Sequence, residues 1–452
     1  MEDVFRHIEE HQQEAIEELI RLCRLPSVSA EARALEETAE LVSEMLRSLS
    51  FRTQILPKAG GHPVVYGELT GASQEQTLLF YNHYDVQPAE PLDLWSSPPF
   101  EPALRDGKLY GRGVCDNKGN IVARLAAIRA FQAVRGQVPL SLKFCIEGDE
   151  EIGSPGIEPF VSEQRQLLAA DACLWEGGGV NWQGQPQITL GVKGLLFVEL
   201  EARGANRDAH SSYATVVPNP AWRLAWALAT LKDPQENILI DGFCQRVRPP
   251  SPQERAAVEV MPSEEENTAR SLGIDGFLKG VRGLDYRLRH LFEPTCNIAG
   301  LSSGYQGPGT KTVLPARATA KLDFRLVPDQ DPEDALAKLQ RHLHQKGYGD
   351  VAVRCLSAER PARTPIDHPF VGLVCEAARQ VYGQEPVLIP SMAGTGPLYP
   401  FIKTLALPTA DCGIGYPESR IHAPDENIRL ADFLHGAKQI AAVLERLARK
   451  EA

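Results

Sequence analysis

The sequence lacks three features that would indicate common classes of protein. Its nine cysteines include no CxxC pair, so neither a disulfide framework nor a thiolate zinc site is indicated. Its 47 Lys and Arg are outnumbered by 59 Asp and Glu, and the net charge of -12 disfavours nucleic acid, because binding a phosphate backbone requires clustered positive charge. No apolar run approaches the ~18 residues of a transmembrane helix. We therefore expect no nucleic-acid or membrane partner and a reducing, cytoplasmic location.

The order of apolar and polar patterns along the chain predicts two domains. After an acidic, amphipathic N-terminal helix that does not resemble a signal peptide, residues 62–180 alternate short apolar runs with glycine-rich corners, which is typical of an α/β domain. A helix is expected there from about Asn120 to Arg135. Alternating strands such as LLFVELEARG predict a separate α+β domain over residues 190–358. That domain would be inserted into an α/β domain built from residues 1–189 and 359–452.

Polar side chains follow several apolar runs, at the points where strands of the first domain should end. Along the chain these corners are YNHYDVQP with His83 and Asp85, GRGVCDNKG with Asp116, EGDEEIGSPG with Glu150 and Glu151, EGGG with Glu176, and ESRIHAPDENI with His422. In open α/β sheets, ligands gather beyond the carboxyl ends of the strands. We therefore expect these corners to meet in one crevice.

Together these side chains fit a pair of metal ions better than they fit separate structural roles. Alone, each has an ordinary alternative: an acidic turn can be solvated, Asp116 can cap the following helix, and His83 or His422 can satisfy a turn. Crowded carboxylates repel one another, however, and zinc accepts both imidazole and carboxylate ligands. Two zinc ions that share Asp116 would lower the pKa of a bridging water. Glu150 would then be free to move that water's proton, and Asp85 to orient the ring of His83.

The motifs NHYDVQP, GRGVCDNKG, EGDEEIGSPG and ESRIHAPDENI, in this order, resemble the M20 family of metallopeptidases, nearest to the dipeptidase branch that includes the carnosinases. The likeness spans nearly the whole chain. It implies a mixed-sheet, di-zinc catalytic domain and an inserted ferredoxin-like lid that also forms a homodimer. The metal ligands that it implies are His83, Asp116, Glu151, Glu176 and His422.

The resemblance also implies the role of each of these residues as a metal ligand or as the general base. One metal takes His83 and Glu176, the other takes Glu151 and His422, and Asp116 bridges the two. Glu150 is the general base, and the peptide bond from Asp116 to Asn117 is cis. Mn²⁺ or Co²⁺ could replace Zn²⁺, because they accept similar nitrogen and oxygen ligands.

Substrate-binding residues are implied in the lid and in a late glycine-rich stretch. RDAHSSYA matches the family's lid-histidine motif at His210, which would polarise the substrate carbonyl at the neighbouring subunit's metals. GTKTVLPARATAKLDFR would offer Thr312 and Arg325 to the substrate's C-terminal carboxylate, which suits the fork of an arginine. SMAGTGP resembles a carboxylate cradle made by Gly394, Thr395 and Gly396.

We therefore predict a di-metal hydrolase that cleaves dipeptides or similar small peptides with a free C-terminal carboxylate. An N-acyl amino acid deacylase is the enzymatic alternative. Glu176 stands where carnosinase-like dipeptidases usually carry Asp, whereas deacylases and carboxypeptidases of the family often carry Glu. A non-catalytic metal-binding member is disfavoured by the presence of Glu150. A two-metal phosphoesterase is weaker still, because only Arg112 and Lys118 lie close in sequence to the ligands.

Overall fold

The computed structural model describes residues 1–449. Its α-helices are α1 Glu2–Glu10, α2 Gln12–Cys23, α3 Leu35–Ser48, α4 Lys118–Arg135, α5 Ile157–Glu163, α6 Pro220–Leu228, α7 Pro252–Glu259, α8 Glu265–Leu272, α9 Gly283–Phe292, α10 Pro332–Gln345, α11 Pro369–Tyr382 and α12 Leu430–Ala448. Its strands are β1 Arg52–Leu56, β2 Val64–Leu69, β3 Ser73–His83, β4 Ala103–Arg105, β5 Lys108–Tyr110, β6 Leu140–Glu147, β7 Ala172–Trp175, β8 Gly179–Val180, β9 Pro186–Thr189, β10 Gly191–Val192, β11 Gly194–Arg203, β12 Ala209–His210, β13 Asn297–Ser303, β14 Val313–Leu314, β15 Arg317–Leu326, β16 Ala352–Glu359, β17 Ala362–Arg363, β18 Val387–Ile389, β19 Thr409–Asp411 and β20 Asn427–Arg429.

The chain divides into two units. The first contains Met1–Gly191, Arg363–Pro390 and Pro397–Ala452, and the second contains Val192–Ala362 and Ser391–Gly396. Each unit has its own hydrophobic core. No helix within residues 1–449 combines the length and the apolar character that crossing a membrane requires.

The first unit is built on a six-stranded mixed sheet in the order β1-β2-β6-β3-β7-β19. Strands β6, β3, β7 and β19 run parallel, whereas β1 and β2 pair antiparallel. The C-terminal half of β3 is buried on both faces, as expected of a parallel strand covered by helices. Helix α4, which is buried along most of its length, packs against α1, α2 and α12. The carboxyl ends of the parallel strands therefore lie along one edge of this sheet.

The second unit contains an antiparallel sheet in the order β13-β15-β11-β16. Helices α6 and α10 pack on it, and the chain order β11-α6-β13-β15-α10-β16 is the ferredoxin-like order, as predicted. Burial along β11 alternates residue by residue, so one face of the sheet carries the core and the other is more open. Helices α7 to α9 are inserted between α6 and β13, and a small cluster of Val258, Leu291 and Phe292 packs α7 against α9.

The observed units depart from the domain boundaries predicted from the sequence at three places. Residues 190–191 lie in the first unit and residues 359–362 in the second, the reverse of the prediction. Residues 391–396, which the sequence predicts in the first domain, also cluster with the second unit. The reason is local bonding: Lys193 N donates to Gly394 O at 2.9 Å, and Val192 forms a β-bridge with Met392. The functional roles of the two units as catalytic and lid domains stay predictions.

Candidate metal centre

The candidate metal centre lies in the first unit, at the edge where the parallel strands end. Strand β3 ends at His83, β6 ends at Glu147, and β7 ends immediately before Glu176. A short 3-10 turn, Glu150–Ile152, follows β6. The register pairs His83 of β3 with Glu147 of β6, so the turn begins beside His83. The sheet therefore brings together side chains that are far apart in sequence.

The two carboxylate oxygens of Asp116 point to two different histidines. His83 Nε2 lies 3.0 Å from Asp116 Oδ1 and 3.6 Å from Glu176 Oε2. His422 Nε2 lies 3.0 Å from Asp116 Oδ2 and 3.0 Å from Glu151 Oε2. The five residues thus form two groups of nitrogen and oxygen atoms that share one carboxylate, and this division is the one that the resemblance implies for two metals.

Glu150 lies inside the same cluster. Ligand atoms of His83, Glu150 and Glu176 fall within 4.8 Å of one another, as do those of His83, Asp116 and Glu151. By distance alone, Glu150 could therefore serve either as a ligand or as a base beside the ligands. Its assignment as a base stays a prediction.

The electrostatics of the cluster fit a divalent cation. Burial raises the pKa of Glu176 to about 8, and its Oε2 has no hydrogen-bond partner within residues 1–449. Burial and the charge of Glu176 raise the pKa of Glu150 well above its ordinary value. Burial would lower the pKa of His83, but the charge of Glu176 and the hydrogen bond with Asp116 raise it well above normal. Buried acids crowded in this way are stable as anions only beside positive charge. The donor set of two imidazoles and several carboxylates suits Zn²⁺, Mn²⁺ or Co²⁺.

Asp85 contacts both His83 and the turn that carries Glu150 and Glu151. Its Oδ1 lies 3.3 Å from His83 Nδ1, and its backbone oxygen lies 3.1 Å from the same nitrogen. Its carboxylate also accepts the backbone N–H groups of Glu150 at 3.2 Å and Glu151 at 3.1 Å. The sequence predicted the contact with His83 but gave no sign of the second. Asp85 therefore fixes a histidine of one group and the turn that carries Glu150 and Glu151.

Sequence reasoning missed the residue that holds the loop of Asp116. Glu426 is buried, and its carboxylate accepts the backbone N–H groups of Gly113, Cys115 and Asp116 at 2.9 to 3.0 Å. The buried guanidinium of Arg112 donates to it at 2.7 Å. The Asp116-Asn117 peptide bond is cis, as the resemblance implies. The available signal was the position of Glu426 within the same quoted motif as His422.

Arg124 was also missed. It lies on α4, is fully buried, and donates to the backbone oxygens of Tyr81 and Trp175 at 2.6 Å each. Tyr81 lies two residues before His83, the last residue of β3, and Trp175 is the last residue of β7, directly before Glu176. A single guanidinium therefore joins the ends of the two strands that present one group of candidate ligands.

The remaining predicted site residues lie in the second unit, where they form two local groups. His210 is exposed at the end of β12, and its Nε2 lies 3.4 Å from Thr312 Oγ1. Its Nδ1 lies 2.9 Å from Ser212 Oγ. Arg325 donates to Thr395 Oγ1 at 2.5 Å, and the segment that contains Thr395 also contains Gly394 and Gly396. The roles of these residues toward a substrate stay predictions.

Comparison with known proteins shows that the chain is similar to peptidases in sequence and in fold. The profile of the family described as Peptidase family M20/M25/M40 matches residues 79–446. The Beta-Ala-His dipeptidase of Homo sapiens is 27% identical over 99% of this chain and 93% of its own length. The Cys-Gly metallodipeptidase dug1 of Schizosaccharomyces pombe is 26% identical over 99% of this chain and 98% of its own length. The crystal structure of an M20 family metallo-carboxypeptidase, Sso-CP2 from Sulfolobus solfataricus, superposes with a TM-score of 0.91 at 37% identity, covering 96% of this chain and 99% of the other.

Proposed function

The chain belongs to Peptidase family M20/M25/M40, and from that premise we propose that it is a di-metal dipeptidase that hydrolyses the peptide bond of small peptides with a free C-terminal carboxylate. The observation that carries the proposal is the Asp116 carboxylate, whose two oxygens lie 3.0 Å from the Nε2 atoms of His83 and His422. A carboxylate placed between two imidazoles is a ready bridge between two cations.

In this proposal His83 and Glu176 would hold one cation, Glu151 and His422 would hold the other, and the carboxylate of Asp116 would serve both. When bound, the cations supply Lewis-acid polarisation of the scissile carbonyl and a water of lowered pKa. Glu150 would accept a proton from the water that attacks the scissile carbonyl and would deliver it to the nitrogen of the leaving amine. Burial and the charge of Glu176 raise the pKa of Glu150 above its ordinary value, which makes it a stronger proton acceptor than a solvated glutamate.

The second unit would supply the groups that recognise the substrate. We assign to His210 the polarisation of the substrate carbonyl, and to Arg325, Thr312 and the 394–396 segment the binding of the C-terminal carboxylate. The exposure of His210 and the contact between Arg325 and Thr395 support these assignments. A guanidinium beside a hydroxyl can bind a carboxylate through parallel hydrogen bonds.

A metallo-carboxypeptidase acting on longer peptides is the second candidate. It is favoured by Glu176, which the family's carboxypeptidases often carry, and by the 37% identity to Sso-CP2. The relatives reported above are peptidases, and this favours a peptide bond over the amide bond of an N-acyl amino acid.

A substrate panel tests the proposal. Purified protein, loaded with Zn²⁺, Mn²⁺ or Co²⁺ and analysed for bound metal, is assayed on dipeptides, on tripeptides and longer peptides, and on N-acetyl amino acids. We expect about two metal ions per chain and the highest kcat/KM on dipeptides. Faster removal of C-terminal residues from longer peptides would favour the carboxypeptidase, and turnover of the N-acetyl compounds alone would overturn the dipeptidase proposal.

We further propose that the enzyme is a cytoplasmic homodimer assembled through the second unit. Strand β13 lies at an edge of its sheet, and Ile298 and Leu301 on it are exposed. On α6 the exposed rings of Trp222 and Trp226 stack with their centroids 5.8 Å apart. An open strand edge and exposed apolar side chains both favour pairing with a second copy.

A further inference from the structure

Lys58 is a buried lysine of the first unit that no quoted motif contains. It lies in the loop between β1 and β2, and its Nζ lies 2.8 Å from Glu147 Oε2 and 2.8 Å from Asp149 Oδ2. None of these three side chains has any solvent-exposed surface. Glu147 is the last residue of β6, and Asp149 immediately precedes Glu150. Lys58 therefore binds the stretch of chain that leads into the turn with Glu150 and Glu151.

Further hydrogen bonds reach the same two carboxylates. Glu147 Oε1 accepts the hydroxyls of Tyr81 at 2.6 Å and Ser154 at 2.9 Å, and Asp149 Oδ2 accepts the backbone N–H of His62 at 2.6 Å. Two buried carboxylates so close together would repel strongly without a cation between them. The ammonium group of Lys58 is that cation, and both carboxylates are bonded to it.

The loop that carries Lys58 is packed tightly onto the loop that carries the turn. A Cβ atom on Gly61 would lie 2.3 Å from Asp149 Oδ2, and one on Gly156 would lie 2.0 Å from the backbone oxygen of Ala59. Gly156 also has a positive φ of 79°. Larger side chains at these two positions would force the loops apart. The contact between the two loops is therefore buried and closely packed, unlike a surface ion pair whose partners can separate freely.

We propose that Lys58 is a positioning residue for the hydrolysis, because its bridge between Glu147 and Asp149 fixes the turn that presents Glu150 and Glu151 to the substrate and the metals. Asp85 holds the same turn from its other side by accepting the backbone N–H groups of Glu150 and Glu151. Loss of the bridge would leave two buried carboxylates repelling each other directly before Glu150. A base displaced by about 1 Å can lose about 10²-fold in rate. This inference rests on the proposed function for its reaction, but the positioning itself can be measured without turnover.

The test compares Lys58→Met with Lys143→Met, which removes the charge of a lysine on the same strand as Glu147 whose Nζ donates to Ala169 O. Three quantities are measured: amide hydrogen exchange of peptide 147–154 in the metal-free protein, the visible absorption spectrum of bound Co²⁺, and kcat and KM at saturating metal. For Lys58→Met we expect faster exchange, a changed Co²⁺ spectrum per bound ion, and a kcat lowered about 10- to 100-fold with KM nearly unchanged. The Lys143→Met control should match the wild type in all three.

Asp149→Asn keeps the shape of one partner and weakens only one of the two bonds, so it tests the proposal even if Lys58→Met does not fold. It should show the same changes to a smaller extent. Wild-type exchange, spectrum and kcat in both variants would overturn the proposal. So would a lowered melting temperature with an unchanged Co²⁺ spectrum and unchanged kcat per folded molecule, because that result describes a merely structural lysine. If the wild type itself hydrolyses no peptide, the proposed function fails, while exchange and the spectrum still decide the role of Lys58.

Discussion

Glu150 and Glu151 are neighbours in the chain, yet the proposed reaction gives them different roles. Glu151 Oε2 lies 3.0 Å from His422 Nε2 and also accepts a hydrogen bond from Gln87 at 3.0 Å, so it is fixed as a ligand would be. Glu150 is buried against Glu176 and His83, with its pKa raised. At the scale of single residues, the distinction between the two carboxylates decides the chemistry.

Exchanging each carboxylate for an amide separates these roles. Glu150→Gln should keep both metal ions and lose about 10²- to 10⁴-fold in kcat, because only proton transfer is removed. Glu151→Gln, the matched control, should bind the second ion more weakly and regain activity as metal is added. Metal content by elemental analysis and kcat at several metal concentrations check both. A Glu150→Gln enzyme that retains most of its turnover would show that the base lies elsewhere.

The stability of the metal-free protein should fall as pH rises. Burial raises the pKa of Glu176 to about 8, against an ordinary value of about 4.3. Between these two pH values the folded state binds a proton that the unfolded state has lost, so the free energy of unfolding falls as pH rises. Hydrogen bonds that His422 donates to Asp116 and Glu151 raise the pKa of His422 to about 10, so its contribution to stability is complete below about 6.5 and is lost as pH rises through about 10. For Asp116 burial opposes the shift, but hydrogen bonds from His422 and His83 lower its pKa, so its contribution is constant between pH 6 and 8.

Zinc should therefore stabilise the protein more at pH 8 than at pH 6. The ions displace the protons of Glu176 and His422, so rising pH favours binding while it weakens the metal-free fold. Differential scanning calorimetry with and without EDTA at the two pH values measures the shift in melting temperature. An equal or larger zinc-induced shift at pH 6 would contradict this assignment of the protonated groups.

At the scale of secondary-structure elements, Arg124 ties helix α4 to the ends of β3 and β7. Arg124→Met would leave the buried carbonyls of Tyr81 and Trp175 without their donor, at a cost of about 1–3 kcal/mol each. Arg129 on the same helix pairs with Glu18 nearer the surface, and Arg129→Met should cost less than about 1 kcal/mol. Urea unfolding of the metal-free variants measures both free energies. Similar losses in the two variants would show that Arg124 does not hold the strand ends.

Several elements could be predicted from the sequence because their signals are local. The helix expected from about Asn120 to Arg135 is observed as Lys118–Arg135, where Gly136, with a positive φ, follows its last residue. The N-terminal stretch predicted as one amphipathic helix is instead two helices that meet at His11. The apolar spacing is preserved across that junction, so periodicity alone could not reveal the break.

The residues of the candidate site also separate into those that the sequence could indicate and those that it could not. Residues of the candidate metal groups stand in short motifs beside apolar runs, and their convergence follows from the rule that parallel strands end at one edge. Lys58 and Arg124 could not be found like this, since they lie in no such motif and a charged residue in a loop or a helix ordinarily indicates a solvated side chain. Glu426 lies in the motif of His422, but nothing in that motif marks its side chain as buried. Their burial depends on partners far away in sequence, such as the 314 positions between Arg112 and Glu426.

At the scale of the whole molecule, the open edge of the second unit's sheet predicts self-association. Leu301→Arg places a charge on the exposed β13, where Leu301 is 64% exposed, and should convert a dimer into monomers without affecting the melting temperature of the first unit. Arg317→Ala, an exposed change on the neighbouring β15, is the control. Sedimentation velocity over a range of concentrations measures the result. A wild-type chain that sediments as a monomer at all concentrations would refute the homodimer.

The contact between His422 and Asp116 spans 306 positions of the chain. A ribosome adding about 5–20 residues per second needs about 15–60 s to travel from one to the other. Throughout that interval the nascent polypeptide contains His83 and Asp116 but lacks His422, so the second proposed group of ligands is incomplete. In the proposed mechanism, peptide-cleaving activity therefore arises only after His422 has been synthesised, and a copy truncated before that residue is inactive.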